Sequence, residues 1–68
     1  MDVEVLTMTS AALTLRHRPT GHVFTYHVEA GDLVLGPVQE GPGPKDPGDV
    51  AADVHAVAKQ EAKRLKLI

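Results

Sequence analysis

From Val3 to Val38 apolar and polar residues alternate with the period of a strand, and from Val50 onward they recur with the period of a helix. The first stretch is rich in Val, Leu, Thr and aromatics and is broken at Pro19-Thr20-Gly21 and at Ala30-Gly31. Two breaks predict three strands, over 3 to 18, 22 to 29 and 33 to 38. Connections this short cannot cross over, so the strands run antiparallel as a meander. Between residues 40 and 48, Pro and Gly hold six of nine positions, which reads as a linker. Asp46 as N-cap, Pro47 at the first helical position and Asp49 in the first turn then start a helix. The expected plan is one α+β domain of order β-β-β-α: a three-stranded antiparallel sheet over 1–39, a Gly/Pro linker over 40–48 and a C-terminal helix over 49–68.

The register follows from asking which pairing makes one face apolar, because a slip of one residue turns every side chain over. Pairing Leu15 with Tyr26 and Leu13 with Val28 gathers Leu13, Leu15, Phe24, Tyr26 and Val28 on one face. A two-residue Ala30-Gly31 loop pairs Val28 with Leu33 and Tyr26 with Leu35, adding two leucines to it. On the helix, about 100° per residue places Val50, Val54, Val57, Ala58, Leu65 and Ile68 in one stripe, with Ala51 and Ala62 at its margin. That stripe covers the apolar face of the sheet. A helix of 49–68 would extend about 30 Å, whereas a strand of five or six residues spans about 17–20 Å. Its far end, with Leu65, Leu67 and Ile68, is therefore expected to overhang. Val3 and Val5 run past the first hairpin with no assigned partner; residues 3–9 close a small barrel against strand three or pair with another chain.

The chain has 68 residues, no cysteine and a net charge of −2. A single thin core is all this length supports. Without cysteine there is no disulfide scaffold, thiolate zinc site or Cys nucleophile. Apolar runs are far shorter than the ~18 residues of a membrane span, and the acidic start, Met1-Asp2-Val3-Glu4, lacks the apolar region of a signal peptide, so a cytoplasmic protein is expected.

Candidate chemistry is sparse. His17, His22 and His27 recur every five residues, but the expected register puts them on the inner face, at the turn and on the outer face, so no metal site is expected. Glu61 is the charged residue inside the helix stripe; it is expected in solvent on the overhanging part, and were it buried its candidate partners would be Arg64, His17 and the Tyr26 hydroxyl. Ser10 has no histidine near it in sequence, and the glycines of residues 41 to 48 alternate with prolines that lack the N–H groups a phosphate needs. No catalytic residue and no cofactor are assigned, and the chain is read as not an enzyme.

Two functions remain. The first is a small interaction or regulatory protein that associates with itself or a protein partner through Val3, Val5, Leu65, Leu67 and Ile68. The alternative is a nucleic-acid-binding module that reads through Thr14, Arg16, Arg18, Thr25 and His27 on the outer face of the first hairpin. A three-stranded sheet backed by a C-terminal helix is similar in arrangement to some sheet-in-groove DNA readers, integrase arm-binding domains among them, although none of their motifs is present. A net charge of −2 disfavours that alternative, since phosphate contacts ask for an excess of cations.

Overall fold

The computed structural model describes residues 2–68. Four strands and one helix follow in order: β1 (Val3–Met8), β2 (Ala12–His17), β3 (His22–Glu29), β4 (Asp32–Gln39) and α1 (Pro47–Arg64). The strands form one antiparallel meander in the order β1-β2-β3-β4, with α1 packed across β2 and β3. The sheet thus has four strands where the pattern predicts three.

The extra strand comes from a turn that carries neither Gly nor Pro. The Thr9 hydroxyl accepts from the amides of Ala11 (3.2 Å) and Ala12 (3.0 Å), and the Thr9 N–H donates to the Ala12 carbonyl at 2.8 Å. A threonine hydroxyl here takes the place of a backbone acceptor and reverses the chain. Residues 3–8 therefore fold back on β2, with Val5 opposite Leu15 and Met8 opposite Leu13, and Leu6 forms a bulge between Val5 and Thr7. They neither close a barrel against strand three nor wait for another chain.

Between β2 and β3 the expected faces form, but the pairing is shifted by two residues: Leu15 faces Phe24 and Leu13 faces Tyr26. A shift of two keeps every side chain on its face. Its cause is the tight loop Arg18–Gly21, in which the Gly21 N–H donates to the His17 carbonyl at 2.7 Å and brings His17 opposite His22. At the second turn Val28 pairs with Leu33 and Tyr26 with Leu35, as expected, and Gly36-Pro37 then bulges before Val38 meets Phe24. The core consists of Leu13, Leu15, Phe24, Tyr26 and Leu33 from the sheet and Val50, Val54, Ala58 and Ala62 from the helix. The alanines let the helix lie close to the strands, so backbone proximity substitutes for side-chain bulk.

The helix is shorter than the predicted 49–68. It starts at Pro47 and stops at Arg64, where Lys66 takes a left-handed φ of 61°. The Leu67 N–H donates to the Ala62 carbonyl (2.8 Å) and the Lys66 N–H to that of Lys63 (3.1 Å), the pair of bonds that defines a Schellman turn. The turn sends Leu67 and Ile68 back onto the core, so the apolar tail does not project as a helical overhang.

Residues 40–46 likewise do not behave as a free linker. Within them the Gly41 N–H donates to His22 Nδ1 at 2.8 Å, and the Gly43 N–H donates to the Thr20 carbonyl at 2.9 Å. A Cβ on Gly41 would stand 2.4 Å from the Gly21 carbonyl carbon, and one on Gly43 would stand 2.3 Å from the Thr20 Cα. Glycine is needed at both because two backbones touch. The segment is a strap laid over the β2–β3 loop.

Candidate functional site

The strap is tied by a buried histidine. The sequence pattern places His22 at the turn, but the loop geometry puts it on the inner face, fully buried. Its Nδ1 accepts from Gly41, so the ring proton is on Nε2, which donates to the Lys45 carbonyl. Neighbouring His17 is also buried, with Nδ1 2.8 Å from the Thr20 hydroxyl. His27 is exposed on the outer face, where its ring lies over Gly36. Among the described residues no three metal-ligating side chains are grouped to hold an ion.

Thr14, Arg16, Thr25 and His27 lie on the outer face, and Arg18 follows at the end of β2. Unexpectedly, β1 brings Glu4 alongside them. Glu4 lies opposite Arg16 and accepts from its guanidinium, and its second oxygen is 3.5 Å from Arg18. One carboxylate thus serves both arginines and reduces the positive potential of this face.

Glu61 is half-buried, and Arg64 is its partner, with Nε and a terminal nitrogen 3.1 and 2.7 Å from the same carboxylate oxygen. His17 and Tyr26 do not reach it. His55, on the exposed side of the helix, stacks at a tilt on Tyr26 with ring centroids 5.6 Å apart. Burial pushes the Tyr26 phenol above its ordinary pKa.

Val3, Val5, Leu65, Leu67 and Ile68, the residues expected to meet a partner, are all half-buried within their own chain. The more open apolar side chains stand on the two edge strands, Leu6 and Met8 on β1 and Val34, Leu35 and Val38 on β4. Leu35 and Val38 sit on the core face, opposite Tyr26 and Phe24, yet are 48% and 38% exposed because the helix stops short of the last strand. Val34, on the other face, is 44% exposed. From the sequence these residues read as ordinary strand positions. The missed signal is the charge pattern: residues 33–39 carry no charged side chain, although β4 is an edge.

Among the described residues no helix is long and apolar enough to cross a membrane. No family model matches the chain, and no curated protein or solved structure matches it either.

Proposed function

We propose that this chain is a small non-enzymatic interaction or regulatory protein that associates with a second copy of itself through the edge strand β4. The observation that carries the reading is the exposure of Leu35 and Val38 on the core side of the sheet. Edge strands of monomeric proteins are usually blunted by a charge or covered, and β4 carries one charge, Asp32 at its first position, with Pro37 and its bulge as further protection. Pro37 lacks an N–H, so strand addition uses the first half of β4, from Asp32 to Leu35. Antiparallel pairing of two such halves sets the core-facing Leu33 and Leu35 of one copy beside those of the other and continues the core across the contact, with Val38 flanking the paired segment.

The test is Leu35→Lys, examined by light scattering beside the parent chain. The exposed position tolerates the change, so the helix signal in circular dichroism should persist while the molar mass falls to that of one chain. A parent chain that is already monomeric, or a variant whose assembly is unchanged, rejects the reading. Binding of nucleic acid through Arg16 and Arg18 is the weaker reading, because Glu4 occupies both guanidinium groups.

A further inference from the structure

Among the described residues, three hydrogen bonds fasten the strap to the structure beneath it: Gly43 N–H to the Thr20 carbonyl at 2.9 Å, Gly41 N–H to His22 Nδ1 at 2.8 Å, and His22 Nε2–H to the Lys45 carbonyl. Two of the three run through one imidazole. Pro42 and Pro44 have no N–H to offer in exchange, so the strap has few other ways to hold on.

The partners of that ring leave no choice of tautomer. A backbone N–H can only donate and a carbonyl can only accept, so Nδ1 keeps its lone pair and Nε2 carries the proton. A second proton would have to sit on Nδ1, where it would point at the Gly41 N–H and set two donors against each other in a fully buried site. The ionisable groups on the elements around the ring are His17, opposite it on β2, Glu40, Lys45 and Asp46 in the strap, and Asp49 and Asp53 on the first turns of α1. Among the described residues no carboxylate oxygen lies within 4.0 Å of an imidazole nitrogen, so none stands ready to accept that proton.

We propose that His22 is a proton-operated catch: protonation of Nδ1 breaks the bond to Gly41 and releases the strap while the sheet stays folded. Release uncovers Thr20 and His22, both buried in the tied form, and turns the fixed connection between β4 and α1 into a flexible Gly/Pro linker. The released form takes up a proton that the tied form has no place for, so attachment holds at neutral pH and is lost as pH falls below the ordinary imidazole value of about 6.5. Association through β4 plays no part in this.

The experiment is amide hydrogen exchange of the full chain by NMR at about pH 7.5 and about pH 5, an interval that brackets an ordinary imidazole. A free imidazole gains protonated form about thirtyfold over that interval, so the protection factors of the Gly41 and Gly43 amides should fall by about thirtyfold while those of β3 hold. His22→Gln keeps an acceptor and a donor but does not titrate, and its Gly41 and Gly43 protection should not change with pH. His17→Gln should leave the fall in place. Protection that changes by less than about threefold in the parent chain, a fall shared equally by β3, the same fall in His22→Gln, or its disappearance in His17→Gln would overturn the proposal. Should His22→Gln not fold, the ring nitrogen signals of His22 in the parent chain decide: protonation of Nδ1 must coincide with the loss of Gly41 protection, and a doubly protonated ring beneath a protected Gly41 amide would overturn it.

Discussion

The His22 imidazole accepts the Gly41 amide 2.8 Å away and so ties residues far apart in sequence into one core. A side chain that could not accept there would leave the amide unpaired and free the Lys45 carbonyl. His22→Ala also empties a fully buried site, and its expected cost is about 2–4 kcal/mol. Hydrogen exchange is the sharper measurement: the Gly41 and Gly43 amides should lose protection before those of β3. Equal protection in parent and variant would show that the strap is held by something else.

Among the described residues, Ala30 at φ 52° and Lys66 at φ 61° take a left-handed backbone without being glycine. Each carries a Cβ where it clashes with its own carbonyl oxygen, so Ala30→Asn and Lys66→Gly should each stabilise the fold by about 0.5–1 kcal/mol. Because the sites lie at opposite ends of separate elements, the double variant should show the sum. Urea midpoints of the three variants check both the sign and the additivity.

Burial favours the neutral Tyr26 phenol in the folded state, so its pKa is raised there. That contribution to stability is fully present below the unfolded value near about pH 10 and is lost as pH rises through the folded value. Tyr26 is the single tyrosine and there is no tryptophan, so ultraviolet absorbance follows its ionisation directly. The folded chain should ionise at higher pH than the urea-unfolded chain, and Tyr26→Phe should lessen the loss of stability above about pH 10. Coincident titrations of the folded and unfolded chains would show that the phenol is solvated.

The turn that makes the fourth strand depends on one hydroxyl. Thr9→Val keeps the shape and β-propensity of the side chain and removes the acceptor for the Ala11 and Ala12 amides. The expected cost is about 1 kcal/mol, with increased exchange at β1 and little change in the β2–β3 hairpin. Uniform loss of protection across the sheet would mean that β1 is not a separable unit.

Much of the architecture is legible in the residues, and the gaps have physical reasons. Alternation alone puts Leu13, Leu15, Phe24 and Tyr26 on the inner face, and helical spacing finds Val50, Val54 and Ala58. Pairing partners are less legible: inner faces survive a shift of two, so hydrophobicity cannot separate Leu15–Tyr26 from Leu15–Phe24. The Thr9 turn is missed because its signal is a hydroxyl where turns are usually read from Gly and Pro. The helix end is missed because a lysine holds the left-handed position that glycine normally marks. As for function, the arginines were legible, but their neutralisation by Glu4 required knowing that β1 folds back beside β2. The openness of Leu35 and Val38 depends on where the helix stops, which no local pattern encodes.

Sedimentation equilibrium of the unmodified chain over a wide concentration range tests the central claim most directly. Self-association through β4 predicts a mass approaching twice 7.3 kDa as concentration rises, and a return to 7.3 kDa for Leu35→Lys with the fold intact. A well-folded species of 7.3 kDa at every concentration would contradict it.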